Sequence, residues 1–561
     1  MQSALLTLIE TLTVSHARAL AALFALAIVL FVPGQASLPP MDRDEPRFAQ
    51  ASKQMLETGD YVDIRFQGEA RHKKPVGIYW LQAASVKAGE ALGIEDARRQ
   101  IRLYRIPSLL GAIASVLLAY WVAIAFLARR HAFLAAALMG ATVILGVEAR
   151  LAKTDAMLLA TILAAMGALA RHWLHARAPE KHPAPGPANA FILWTAIGLG
   201  LLLKGPITPL IAALTAATLS VMIRDARWLR GLRPWLGLMI AAAIVLPWLI
   251  ALIQKSGLAF FEEAIGRDML GKVASGQEKH GAPPGLYLAI FWGTGWPLAP
   301  LALASLAFIK REWRDNGVLF LLAWIVPAWA MFELVPTKLP HYVMPLYPAL
   351  AILALLAVER GAFEKLKRWQ RAALALIAAL PLALLIGAPA GFWHLDRKLP
   401  YLALPFLITG FALSLLALKF FWRAAPQAGI AAACLAALAL HIGAFRFGAP
   451  DLNAIRLSPR LAEAARGAGC ADPLYATQGF REPSLVFLTR TDLAMLEGPG
   501  AADFLKGPGC RIAFVEKRHD VLFEAGLKAA GVSPALVTRV TGININSGRQ
   551  VDIGVWVKRA P

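Results

Sequence analysis

Four groups of charged residues stand where an apolar chain tolerates them least. The run Asp42-Arg43-Asp44-Glu45-Pro46-Arg47 follows the first long apolar stretch, and His72-Lys73-Lys74-Pro75 comes soon after it. Arg150, Lys153 and Asp155 share a tight turn between two apolar stretches. The fourth set is dispersed: Lys204 in Leu-Lys-Gly-Pro, Arg267 in Ala-Ile-Gly-Arg-Asp, and Lys338 in Pro-Thr-Lys-Leu-Pro-His-Tyr. Charges at or inside a lipid phase are costly and usually have a task. Carboxylates such as Asp44 and Asp155 can act as general bases or hold sugar hydroxyls. Lysine and arginine can clamp a phosphate. Each group also has a plainer reading. Asp44-Glu45-Pro46 spells a helix start, with Asp44 as N-cap and Pro46 at the first helical position. Lysines at a membrane surface snorkel or attract anionic headgroups, and a charged trio in a short turn is often only a solvated hairpin. Three separate basic residues beside Gly or Pro breaks favour a shared anion site, because such breaks are tolerated at membrane depth where they line a cavity.

Other chemistries find little support. The chain has no Cys/His metal spacing, no Gly-rich nucleotide loop and no nucleophile elbow. His72, His280 and His341 are too scattered to argue for a metal, so neither metal nor cofactor is expected. The net charge of +21 raises the question of nucleic acid. The basic residues, however, sit in short clusters between apolar stretches, which is the pattern of cytoplasmic loops in membrane proteins. No nucleic-acid partner is expected.

The elements that must position these charges are membrane spans. Of 561 residues, 58% are hydrophobic and 17% charged, against about 45–50% apolar in a soluble protein. The excess apolar surface calls for a bilayer. Spans are predicted near 17–33, 105–128, 132–150, 154–172, 189–203, 206–223, 235–253, 286–309, 317–335, 341–358, 372–390, 400–419 and 428–446. Loops after the even-numbered spans hold most of the short-loop Lys and Arg, among them Arg129 and Arg130, Arg224 to Arg233, and Arg360 to Arg371. This bias places the N-terminus in the cytoplasm and all four charged groups outside. The long loop 34–104 carries two amphipathic segments, Glu45 to Glu57 and Val76 to Leu92, of a kind that lies in the membrane interface. The expected fold is an all-α polytopic membrane domain over 1–446, with about thirteen transmembrane helices and amphipathic helices within 34–104. A small extracytoplasmic α/β domain follows over 447–561, where short strand-like runs alternate with helix-like ones. Cys434 lies in an apolar run. Cys470 and Cys510 fall in the tail, either as a disulfide in an oxidising compartment or as two buried thiols.

The run DEPRFAQASKQMLETGDYVDIRFQGEARHKKPVGIYWLQA resembles the first periplasmic loop of the GT-C glycosyltransferases. That superfamily includes the aminoarabinose–lipid A transferases and the dolichyl-phosphate-mannose–protein mannosyltransferases. The resemblance continues through RLAKTDAMLL, LLKGPITPLI, FFEEAIGRDMLGKV, HGAPPGLYL and PTKLPHYVMPLYPALAIL, and thus over roughly residues 40–360. The tail, with GFREPSLVFLTRT, looks like the outer domain of bacterial members. The resemblance implies an outward-facing cavity and inverting transfer of a sugar from a polyprenyl-phosphate donor. It implies catalytic roles for Asp44 and Asp155, and donor-phosphate contacts from Lys74, Lys204 and Arg267. Glu45, Arg47, Lys338 and Tyr342 are further candidates for binding substrate. Two positions depart from the pattern. Lys73 stands where many relatives have Glu before the Lys-Pro pair, and Ala264 follows Glu263 where some have His. A metal held by that Glu and His is therefore not expected.

The implied reaction runs on the periplasmic side of a bacterial inner membrane. Its acceptor is a lipid such as lipid A or another glycan, and the protein is expected to act as a monomer among membrane lipids. Two alternatives remain at this stage: a protein O-glycosyltransferase of the same superfamily, and a flippase or transporter for lipid-linked sugars.

Overall fold

The computed structural model describes residues 1–41, 44–258, 260, 262–263 and 281–559. The first helices in the chain are α1 (Gln2–Leu12), α2 (His16–Phe31), α3 (Asp44–Thr58), α4 (Gly77–Ala91), α5 (Ile101–Ala123), α6 (Arg129–Gly140) and α7 (Val143–Glu148). They are followed by α8 (Asp155–Arg177), α9 (Pro187–Lys204), α10 (Ile207–Ile223) and α11 (Pro234–Ser256). All thirteen predicted apolar stretches contain helix. Among the described residues, nine helices are long and apolar enough to cross a bilayer alone, or ten if α1 and α2, bent by 116°, count as one span. The other three stretches are the 17-residue α10 and two broken helices. One break lies between α6 and α7. The other lies in 286–309, between Leu286–Thr294 and Leu298–Ala304. The two breaks meet, with the Val143 amide donating to the Trp296 carbonyl at 3.1 Å. Backbone groups freed at membrane depth must find partners of this kind.

The loop 34–104 forms α3 and α4, with a short antiparallel pair, Arg65–Phe66 against Glu69–Ala70, between them. Residues 45, 46 and 48 to 56 of α3 are all buried. Such burial needs protein on every side, so α3 does not present the free apolar face that an amphipathic helix would. One cover is α4, where Ser52 donates to Gln82 at 2.6 Å. The other is the C-terminal region. Gln50 bonds Thr491 at 2.8 Å, and Gln67 donates to the carbonyls of Thr491 and Leu493. Lys53 Nζ donates to the Phe487 carbonyl at 3.2 Å. Burial pushes the Lys53 ammonium down to about 8, against the opposing pull of Glu57.

The C-terminal region holds a five-stranded sheet of β3 (Leu474–Gln478), β4 (Ala494–Leu496), β5 (Arg511–Glu516), β6 (Ala535–Asn544) and β7 (Arg549–Lys558), in the order β4-β3-β5-β7-β6. Here β3 pairs in parallel with β4 and β5, and β7 runs antiparallel to β5 and β6. Strand β5 is buried over residues 512–516, as a central strand covered on both faces should be. Cys470 and Cys510 are disulfide-bonded, which resolves the choice left open above.

Glu45 anchors the loop 34–104 to α5. Its carboxylate pairs with Arg105 of α5 at 2.7 Å, and neither side chain is exposed. Arg105 also donates to the carbonyls of Gln35, Leu38 and Pro39. Glu45 accepts from the amides of Met41 and Ala152. Removing one member of a buried pair strands the other. Glu45→Ala is therefore expected to cost about 3–5 kcal/mol and to lower the unfolding temperature of the solubilised protein. The double change Glu45→Leu, Arg105→Met is expected to cost less. Equal melting curves for wild type and Glu45→Ala would refute the anchoring role.

Candidate active site

Asp155 begins α8, and a turn gripped from several sides sets its position. The Ala152 amide donates to Glu45 at 2.9 Å, and the Ala152 carbonyl accepts from Gln82 of α4 at 3.0 Å. Ser108 of α5 bonds both the carbonyl and the amide of Lys153. Arg150 donates to carbonyls of Leu30, Pro33 and Gly146. It therefore serves as a brace between helices and does not belong to the reactive set. Gly111 lets α5 and α8 approach, since a Cβ there would stand 2.6 Å from the Met157 amide nitrogen. Small residues at such crossings are the usual means of close helix packing in membranes.

Lys204, the last residue of α9, reaches Asp155 with Nζ 2.5 Å from Oδ1. Its ammonium also stands over the Tyr342 ring, 5.1 Å from the centroid. The Lys74 turn lies beside this end of α9. Gly77, three residues on, packs so closely that a Cβ would stand 2.7 Å from the Leu202 carbonyl oxygen. Asp44 is in the first turn of α3, next to Glu45 and hence close to the turn that precedes Asp155. Asp155, Lys204 and Tyr342 are thus in one cluster, with Asp44 and Lys74 on the elements packed against it. Arg47 is half-buried in the same turn of α3 as Asp44. Arg267 and Ala264 lie outside the described residues, whereas Glu263 accepts from the His72 amide at 3.3 Å.

Two of the candidates have structural partners in the fold. Glu45, considered for substrate binding, is fully buried with its oxygens committed to Arg105 and two amides. Lys338, considered likewise, is 4% exposed and donates to the carbonyls of Ala282 and Val335. It pins the end of one loop to another.

The sequence reading missed two members of the cluster. Glu148 ends α7 and His341 lies in the 3-10 turn Pro340–Leu346. The His341 nitrogens face both carboxylates, Nδ1 at 3.4 Å from Glu148 and Nε2 at 3.6 Å from Asp155. Lys153 Nζ is 3.3 Å from Glu148. Potential metal-ligating atoms of Glu148, Asp155 and His341 lie within 4.8 Å of one another. A divalent ion there would meet two ammonium groups already paired with the carboxylates, and like charges this close repel strongly. The charge pattern instead suits an anionic ligand that borrows the lysines.

The family model described as dolichyl-phosphate-mannose-protein mannosyltransferase matches residues 73–250. An undecaprenyl phosphate-alpha-4-amino-4-deoxy-L-arabinose arabinosyl transferase from Edwardsiella ictaluri is 29% identical over 350 residues, which are 61% of this chain and 59% of the relative. Its namesake from Pseudomonas aeruginosa strain LESB58 is 29% identical over 364 residues, 64% of this chain and 62% of the relative. The chain therefore spans less than two thirds of the length of these curated relatives. The crystal structure of ArnT from Cupriavidus metallidurans bound to undecaprenyl phosphate superposes with a TM-score of 0.73 at 19% identity, covering 96% of this chain and 98% of that one. The apo structure of the same protein gives 0.70. With its buried charge cluster beside α3 and α4, the chain thus shares the fold of the ArnT structures and is similar in sequence, over part of its length, to the undecaprenyl phosphate-alpha-4-amino-4-deoxy-L-arabinose arabinosyl transferases.

Proposed function

We propose that the protein transfers a sugar, with inversion, from a polyprenyl-phosphate donor to lipid A or another lipid or glycan acceptor. The observation that carries this reading is the Lys204–Asp155 pair beside the Lys74 turn. It supplies cations for a phosphate and a carboxylate for the sugar or acceptor. The fold's likeness to a transferase structure holding undecaprenyl phosphate supports the donor class.

In this mechanism Lys74, Lys204 and Arg267 take the donor phosphate. Lys204 leaves Asp155 to do so. The C1–O bond breaks with its electron pair passing to the phosphate, whose growing charge is stabilised by preplaced cations. The acceptor oxygen forms the new bond to C1 from the opposite face. For a hydroxyl acceptor, Asp44 takes the proton. For a phosphate acceptor no strong base is needed, and Asp44 with Asp155 orients the two substrates.

The assigned topology places the N-terminus in the cytoplasm and the domain over 447–561 in the periplasm, in a chain that works as a monomer. The positive-inside bias supports this orientation, and so does the Cys470–Cys510 bond, which persists in oxidising compartments.

The direct test is purified protein incubated with undecaprenyl-phosphate aminoarabinose and lipid A, the product read by mass spectrometry. Asp155→Asn is expected to lower kcat by about 100-fold or more, within the range usual for loss of a general acid–base or positioning group. Lys74→Ala and Lys204→Ala are expected to raise KM for the donor. Full activity in a folded Asp155→Asn protein, or unchanged donor KM in both lysine variants, would remove these assignments. For topology, cells lysed with a thiol blocker present should yield protein in which one of its three cysteines alkylates in denaturant before reduction. Alkylation of all three at that stage would argue against an oxidising location.

A further inference from the structure

We propose that Glu148 and His341 are positioning residues that hold Asp155 in place while Lys204 is engaged with the donor phosphate. The proposal rests on the reading of Asp155 and Lys204 given above. Asp155 is 5% exposed and, among the described residues, lies 2.5 Å from Lys204 Nζ and 3.6 Å from His341 Nε2. When a phosphate recruits Lys204, His341 is the side chain left within ion-pair distance of Asp155 among the described residues. A buried carboxylate without a partner is expensive and free to turn away, so the geometry of the reaction then depends on His341.

His341 is itself fixed from the far side. Its other ring nitrogen stands 3.4 Å from Glu148, so the imidazole lies between the two carboxylates. Glu148 is tied in turn to Lys153 at 3.3 Å. The Lys153 backbone is held at both ends by Ser108. The relay Lys153–Glu148–His341–Asp155 thus starts from a rigid turn and ends at the carboxylate assigned to catalysis. Outer groups that orient an imidazole in this way commonly matter as much as the residues they serve.

Burial alone does not account for Glu148. It is 2% exposed, and its Oε2 has no hydrogen-bond partner among the described residues. A half-satisfied buried carboxylate lowers stability rather than raising it. What explains the residue is the group it holds.

The test uses the full-length protein in lipid nanodiscs, with undecaprenyl-phosphate aminoarabinose as donor and lipid A as acceptor. Glu148→Gln and His341→Asn are each expected to lower kcat about 10- to 100-fold, the loss usual for an orienting group. The KM for the donor should stay within about threefold and the unfolding temperature close to wild type, and Glu148→Asp should recover part of the lost kcat. Unchanged kcat in both folded variants overturns the proposal. So does a loss of kcat accompanied by a rise in donor KM and a fall in unfolding temperature, which marks a merely structural role. Activity restored to the variants only by added manganese or magnesium would replace it with a metal site. Asp155→Asn run alongside separates the two levels. If that variant is fully active, the assignment of Asp155 fails and this proposal with it. If it is inactive while Glu148→Gln and His341→Asn are normal, the proposal alone fails.

Discussion

A charge buried among apolar helices must be neutralised where it stands, because no water is there to do it. This constraint organises the molecule around the loop 34–104. The Arg105 guanidinium, enclosed in α5, collects the Glu45 carboxylate and three carbonyls of the preceding loop. That single requirement draws α3 down onto the membrane helices. Through the Ala152 amide it also draws in the turn that leads to Asp155. The position of the candidate active site is in this sense a consequence of how one arginine is satisfied.

The same constraint shapes the cluster itself. Two carboxylates, two lysines and one imidazole neutralise one another in a site with little solvent. Such a cluster is poised to exchange partners but not to lose them. An anionic ligand can take a lysine only if the carboxylate left behind keeps another neighbour, and His341 is placed to be that neighbour. Because the dipoles and charges are already oriented, little reorganisation is needed when charge moves, which is the main source of electrostatic catalysis.

The C-terminal region completes the enclosure. It caps α3 through Gln50, Lys53 and Gln67, so that helix is enclosed between α4 and the C-terminal region. The disulfide between Cys470 and Cys510 joins the start of this region's core to the entry of β5. Below, the two broken helices satisfy each other at Val143 and Trp296. That arrangement explains why these apolar stretches bend where continuous helix would have cost less.

The sequence by itself determined the features that depend on local order. Hydropathy marked every apolar stretch as helix, and amphipathic spacing located α3 and α4. Alternation marked β5 and β7 in the tail, while β3, β4 and β6 carried no such signal. Asp155 and Lys204 were legible because each is a charge beside a helix break in an apolar setting. The limits of the same signals are equally physical. Composition could not tell that 132–150 and 286–309 are broken, or that α3 is covered by protein on all sides. Glu45 and Asp44 are adjacent and alike in type, yet packing turned one into a buried anchor for Arg105. Lys338 looked like Lys204 in sequence and became a pin for two carbonyls. Glu148 and His341 are separated by most of the membrane helices and carried no shared motif. Charges act strongly on each other only within a few ångströms. Which residues come that close is decided by how distant helices pack, and that information exists only in the tertiary structure.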